Sequence, residues 1–170
     1  MCTLRPWRLG DLDRLVALAN DEEVARYLGD RFPYPYRRSD GEWWLAAQMN
    51  AATDNNFAID VEGELAGGIG LDPFGGEKRL VAHIGYWLGR PFWGRGIATA
   101  ACAALTNEAL TRRDFVRLET AVYAPNAASM RVLEKCGYAC EEVMRKAVFK
   151  HGVILDAYLY AKVRDDTLER

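Results

Sequence analysis

Arg90-Pro91-Phe92-Trp93-Gly94-Arg95-Gly96-Ile97-Ala98-Thr99 is the stretch that decides how this chain is read. His83-Ile84-Gly85-Tyr86-Trp87-Leu88 runs before it as a strand that ends at Gly89. An Ala-rich segment follows, from Ile97 to about Arg112, with the composition of a helix. A Gly-x-Gly loop therefore stands where a strand hands over to a helix. The first N–H groups of a helix have no intrahelical acceptor, and the positive end of the helix dipole lies among them. Glycines at 94 and 96 let an anion approach the backbone with no Cβ in the way. Two readings fit this loop alone: a phosphate cradle, or a tight Gly-rich cap. A dinucleotide fingerprint needs a third glycine where Thr99 stands, and no Gly-Lys-Ser/Thr follows as in a Walker loop. The ligand expected is neither a dinucleotide nor a nucleoside triphosphate.

With 170 residues the natural expectation is one domain, 1–170, large enough to bury a core. Half the residues are hydrophobic and the formal net charge is −2, which argues against a nucleic-acid partner held by bulk charge. Cys2, Cys102, Cys136 and Cys140 show neither a disulfide framework nor a paired Cys-x-x-Cys spacing, so no metal is expected and the thiols read as free, in a cytoplasmic protein. No apolar run approaches the roughly 18 residues of a membrane span, and charges are spread through the N-terminal segment.

Outward from the loop, the elements follow a simple order. Thr3–Trp7 reads as a strand, Asp11–Leu18 and Asn20–Leu28 as helices, the second with Asn20-x-x-Glu23 as a capping box. Phe32-Pro33-Tyr34-Pro35-Tyr36 is a stiff aromatic loop, because its prolines forbid helix. Ser39-x-x-Glu42 caps a helix expected to reach about Ala52. Phe57, Ile59 and Val61 alternate as a half-buried strand, Glu62-Gly63-Glu64 turns, Leu65–Leu71 returns, and Leu80–Leu88 follows a Pro/Gly loop. Val116–Tyr123 alternates and stops at Pro125. Asn126 caps a helix that ends at Cys136-Gly137. Glu142–Lys150 and Val153–Val163 form a last hairpin around His151-Gly152, with Val153, Leu155, Ala157, Leu159, Ala161 and Val163 on one face. Strands mixed with helices in this order describe an α/β (α+β) chain whose sheet carries helices on its faces.

Asn126-Ala127-Ala128-Ser129 and Glu134-Lys135-Cys136-Gly137-Tyr138 form a second constellation. Alone it reads as a capped amphipathic helix. Paired with the glycine loop upstream, it resembles the two acetyl-CoA motifs of the GNAT (GCN5-related) N-acetyltransferase superfamily. Thr3-Leu4-Arg5-Pro6-Trp7, Phe32-Pro33-x-Pro35 and Ile84-Gly85-Tyr86-Trp87-Leu88 are similar to one branch in particular, the ribosomal-protein-alanine N-acetyltransferases. The resemblance covers essentially the whole chain.

It implies a GNAT fold: a mixed, mostly antiparallel sheet with splayed central strands and helices on both faces. It implies acetyl-CoA as co-substrate, without a metal. The pyrophosphate would rest on the loop Gly94, Arg95, Gly96, Ile97, Ala98 and Thr99. The pantetheine arm would pair like an added strand beside Trp87 and Leu88 and meet Asn126. The acceptor would be a primary amine, on a small molecule or a protein N-terminus. Neither nucleic acid nor membrane is an expected partner, and a homodimer is left open. Two positions depart from the superfamily pattern. Pro91 stands three residues before the first glycine, where Gln or Arg is usual, so Arg90 or Arg95 is the available cation. Leu133 stands seven residues after Asn126, where many members have a Tyr that protonates the leaving thiolate; Ser129 is the substitute the branch suggests, against the reading of a hydroxyl that merely helps the cap.

An amine must be neutral to attack, and α-amino groups titrate near 7.7–8 while Lys amines titrate near 10.4. A base therefore helps near neutral pH. His83 stands on the strand before the loop, where relatives often have Glu; its alternative is a satisfied strand histidine. Asp156, which interrupts an apolar strand, is a weaker candidate. The aromatics of Phe32–Tyr36, with Trp43 and Trp44, line either the acceptor pocket or the core. A non-catalytic acyl-CoA-binding module is the rival reading of the whole, and a dinucleotide oxidoreductase a more distant one.

Overall fold

The computed structural model, described over residues 2–51 and 55–165, arranges seven strands in the order β1-β2-β3-β4-β5-β7-β6. They are β1 (Cys2–Arg5), β2 (Asn56–Val61), β3 (Glu64–Pro73), β4 (Val81–Leu88), β5 (Arg117–Tyr123), β6 (Ala139–Lys150) and β7 (Val153–Val163). The helices are α1 (Leu12–Ala19), α2 (Glu22–Ala25), α3 (Arg38–Met49), α4 (Ile97–Arg112) and α5 (Ala127–Lys135). The β1–β2, β2–β3, β5–β7 and β6–β7 pairs are antiparallel, and β4–β5 is parallel. The sheet is thus mixed and mostly antiparallel. Ala52 and the ends of the span 1–170 lie outside the described residues.

The chain gathers into two units. One comprises Met1–Gly70 with Tyr86–Ala101, the other Leu71–Gly85 with Cys102–Arg170. In the first, β1 and β2 are locked by a buried ionic cluster. Arg5 on β1 bonds Asp60 on β2 at 2.8 Å and both carboxylate oxygens of Asp11 at 2.8 Å. Asp60 was the polar member of an expected half-buried strand, yet Ala58 through Val61 are all buried. Its pairing with Arg5 makes that burial tolerable and holds the carboxyl below its ordinary range. The hairpin to β3 turns on Glu62 (φ 55°) and Gly63 (φ 89°), the left-handed pair that a two-residue loop requires.

The expected capping boxes on α2 and α3 are replaced by neighbours. Asp21, not Asn20, accepts from Glu23 N at 2.9 Å, and α2 is a single short turn. Asn20 instead accepts from Tyr36 N at 3.0 Å, tying down the aromatic loop. On α3 the bond is from Arg37 N to Asp40 at 2.7 Å, two residues before the expected Ser39–Glu42 pair. Glu42 bonds Arg38 at 3.2 Å. The cap of α2 thus lies one residue later, and that of α3 two residues earlier, than the motif spacing suggested.

In the second unit β7 lies between β5 and β6, so both of its edges are paired. Ala157 and Ala161 are buried, but so is Tyr160 from the opposite face, while Val153 and Val163 at the ends are exposed. The expected single apolar face therefore does not sort by burial. α5 is as expected: Asn126 Oδ1 accepts from Ser129 N at 3.2 Å, and Gly137 (φ 81°) ends it after Cys136. Among the described residues no helix is long and apolar enough to cross a membrane.

Candidate active site

The loop after β4 has the conformation that the Gly-x-Gly spacing calls for. Gly94 (φ 70°) and Gly96 (φ 73°) are both left-handed, and a Cβ at either position would meet nothing within 4 Å. The first helical bond of α4 runs from Ala100 N to Gly96 O, so the N–H groups of Ile97 and Ala98 belong to the open end of the helix. A cavity of about 180 Å³ lies against this turn, lined by Cys2, Val61, Arg95 and Gly96 among others. Left-handed glycines, open space above them and a 16-residue helix behind them suit a phosphate-bearing ligand.

The cations beside the loop are partly committed. Arg90 is ion-paired with Asp21 at 2.8 Å, while Arg95 stacks its guanidinium over Phe92 at 5.6 Å. Trp93 anchors the loop by donating its indole N–H to the Leu88 carbonyl at 2.8 Å. That carbonyl is therefore already engaged at the end of β4. Nothing in the spacing of Trp93 signals the bond, because it depends on how the loop folds back.

β4 and β5 are paired only at Val81↔Arg117, Ala82↔Leu118 and His83↔Glu119, although both strands continue. His83 thus stands at the last rung of the ladder. Its Nε2 lies 3.2 Å from Thr120 Oγ1, on the next residue of β5. A Cβ at Gly85 would meet His83 Cε1 at 3.4 Å, an ordinary contact. Across the rung, Glu119 is bound by Arg117 at 2.6 Å, and Arg117 also clasps Glu141 of β6 at 2.6 Å. The second of these bonds, first among the causes, raises the guanidinium pKa and lowers that of Glu141. Thr120 was missed at sequence level, because a partner thirty-seven positions away leaves no local signal.

The remaining candidates divide clearly. Leu133, where many superfamily members have Tyr, is fully buried. Ser129 sits in the first turn of α5, half-buried, beside the cap residue Asn126. The carboxylate of Asp156 accepts from Lys146 N at 2.7 Å, and Lys146 is left-handed at φ 54° in a bulge of β6. Asp156 is thus the anchor of that bulge. Asp156→Ala should cost about 1 kcal/mol of stability in denaturant unfolding, as loss of a single solvent-exposed hydrogen bond does, and leave turnover in place. A hundredfold fall in kcat with stability unchanged would make it a base after all.

The aromatic loop splits between core and surface. Phe32 packs on Tyr36 at 5.2 Å and edge-on to Trp87 at 5.3 Å, which joins the loop to the end of β4. Tyr36 is buried, and that burial first of all pushes its pKa up to about 12. Tyr34 and Trp43 are exposed, and Trp44 packs edge-on to Trp7 at 6.0 Å. Trp87, Leu88 and Gly94–Thr99 fall in the first unit, and His83, Asn126 and Ser129 in the second. Among the described residues no group of three or more His, Cys, Asp or Glu could hold a metal ion.

The family model for the acetyltransferase (GNAT) domain matches residues 2–139. The chain belongs to the GNAT acetyltransferase family. It is similar to an uncharacterized N-acetyltransferase, p20, of Bacillus licheniformis, at 28% identity over 165 residues, covering 95% of this chain and 92% of p20. Among solved structures, this GNAT chain is similar to the microcin C7 self-immunity acetyltransferase MccE in complex with acetyl-CoA and AMP. Identity is 25% and the TM-score 0.78, over 95% of this chain and 92% of that one. The fold also matches RimL, a ribosomal L7/L12 alpha-N-protein acetyltransferase in complex with coenzyme A. There the TM-score is 0.82 at 22% identity, over 96% and 94% of the two chains. The protein is an N-acetyltransferase of mixed α/β GNAT fold, and the acetylation its family performs depends on acetyl-CoA.

Proposed function

We propose that this acetyltransferase moves an acetyl group from acetyl-CoA directly to a primary amine, with the pyrophosphate held by Gly94–Thr99. The observation that carries the reading is the pair of left-handed glycines with open space above them at the start of α4. Backbone N–H groups there would hold the phosphates, with Arg95 as the nearby cation. Trp87, Leu88 and Asn126 would orient the pantetheine arm. When bound, acetyl-CoA supplies a thioester whose carbonyl carbon the amine attacks. His83 would take the proton that the incoming ammonium must lose, and Ser129 would hold a proton toward the departing thiolate. No cysteine nucleophile is needed for this direct transfer. Cys102 and Cys136 are buried, and Cys2 and Cys140 stand outside the motifs.

The acceptor is proposed as a protein N-terminus or a small amine. The similarity to the ribosomal-protein-alanine branch does not choose between them, because members of that branch differ in acceptor. MccE, a microcin C7 self-immunity acetyltransferase, keeps the second in view. A cytoplasmic site of action is proposed from the four free thiols. A panel of amines with acetyl-CoA, read by thiol release, tests the assignment. An N-terminal peptide, a free amino acid, a polyamine and a Lys side chain cover the classes. Amine-dependent release from at least one supports it. Tight acetyl-CoA binding with no release from any favours the non-catalytic module.

Ser129 has its own test. Ser129→Ala should lower kcat by on the order of tenfold and leave acetyl-CoA affinity intact, because a thiolate of ordinary pKa about 8.5 departs tolerably unaided. Unchanged kcat would reduce Ser129 to a helix-start hydroxyl.

A further inference from the structure

Side chains alternate along a strand, so β7 carries Ile154, Asp156, Tyr158, Tyr160 and Lys162 on one face. β6 adds the residues directly opposite: Cys140 at Tyr160, Val143 at Tyr158 and Phe149 at Ile154. One end of this face is covered by α5. Tyr160 is 4% exposed and donates its hydroxyl to Glu134 at 2.9 Å, and Lys162 donates to the Cys136 carbonyl at 2.7 Å. Toward the hairpin turn the cover stops. Phe149 is 73% exposed, Ile154 61% and Val143 49%, so an apolar strip stands in solvent along this end of the face. Single exposed apolar residues are ordinary, but a strip of them on one face, rimmed by charge, marks a contact surface.

The charges of β6 are sorted about the middle of the strand. Glu141 and Glu142 precede Val143, and Arg145, Lys146 and Lys150 follow Met144. Glu141 is held by Arg117 at 3.0 and 2.6 Å, which leaves Glu142 as the exposed acid beside the strip.

We propose that this strip is where a second copy of the chain docks, with the two β6 strands running in opposite directions about a two-fold axis close to Val143. A two-fold axis sets one patch against itself, so the patch must complement its own image. With strands opposed, the acidic half of each β6 faces the basic half of the other, and the favourable pairing occurs twice. The contact is made by side chains of the face, not by an added strand. β6 shifts register between Cys140 and Glu142 and again between Met144 and Val148, which breaks up its outer edge as a pairing template. A wholly acidic partner would be drawn to Arg145 and Lys146 but repelled by Glu142. A lipid surface would call for apolar residues at the turn itself, where Lys150, His151 and Gly152 stand. The exposed apolar core is small, so the association should be weak and reversible. The proposal is independent of the acetyl-transfer reading.

The experiment is sedimentation velocity of the full chain over a wide range of protein concentration, with the oligomer's mass read directly. A monomer–dimer equilibrium is expected, with the dimer share rising with concentration. Phe149→Ser and Ile154→Ser should each weaken association at least tenfold, while the unfolding midpoint stays near wild type because both side chains are exposed. Glu142→Lys and Arg145→Glu should each weaken it severalfold, since each sets like charges together twice. An equimolar mixture of those two variants should regain association as a heterodimer, because reversed charge then meets reversed charge and native meets native. A chain that stays monomeric at every concentration overturns the proposal, and so does a dimer that survives Phe149→Ser and Ile154→Ser. Failure of the mixture to associate better than either variant alone overturns the opposed arrangement of the strands. A monomeric chain that instead binds phosphatidylserine vesicles or a Glu-rich peptide through Phe149 gives the strip another occupant and equally overturns the proposal.

Discussion

Gly96→Glu should weaken acetyl-CoA binding at least thirtyfold, about 2 kcal/mol in a calorimetric titration. Two effects act together. The backbone at 96 is left-handed (φ 73°), which an L side chain adopts only with strain. The new carboxylate would also occupy the open space above the turn, where the pyrophosphate is proposed to rest, and repel it. Gly96→Ala separates the two, because it imposes the backbone cost without the charge. It should lose clearly less affinity than the Glu variant. A folded Gly96→Glu protein with wild-type affinity would remove the loop from the binding site.

His83→Gln should cut kcat about a hundredfold, within the range for loss of a general base. Gln keeps a polar side chain of similar reach and can still bond Thr120, so the last rung of the β4–β5 ladder should survive. What it cannot do is accept the proton. The rate of the wild-type enzyme should rise with pH through a limb that belongs to the imidazole, because only the neutral ring is a base. A second limb belongs to the amine and moves when the acceptor is changed. His83→Gln should erase the lower limb and keep the upper. Retention of both the rate and the lower limb would send the proton to bulk water.

Much of the fold was legible because its punctuation is local. Gly94 and Gly96 before an Ala-rich run, Asn126 before α5, Gly137 after it, and Glu62-Gly63 and His151-Gly152 at the hairpins are demands of backbone geometry. They hold whatever the rest of the chain does. The misplacements came where a side chain had a choice of partners. Asn20 left its expected cap for Tyr36 N, and Asp60 turned inward because Arg5 was waiting. Asp156 took the bulge at Lys146. None of these partners is close in sequence, so no window of residues contains the information. The candidate site divides the same way. Its loop could be read from spacing, whereas Thr120 beside His83 and Trp93 on the Leu88 carbonyl exist only once strands pair and the loop folds back.

Direct transfer from acetyl-CoA to an amine leaves a mass balance that a single turnover reveals. Acetyl-CoA labelled in the acetyl group is mixed with excess enzyme and an amine found active in the panel. The reaction is quenched within a single turnover, and the label is counted by mass in protein, amine and unreacted thioester. Label should appear only in the amine and the remaining acetyl-CoA, with one free CoA thiol for each acetylated amine. Label on the protein during turnover, or CoA release without a matching acetylated amine, would contradict it.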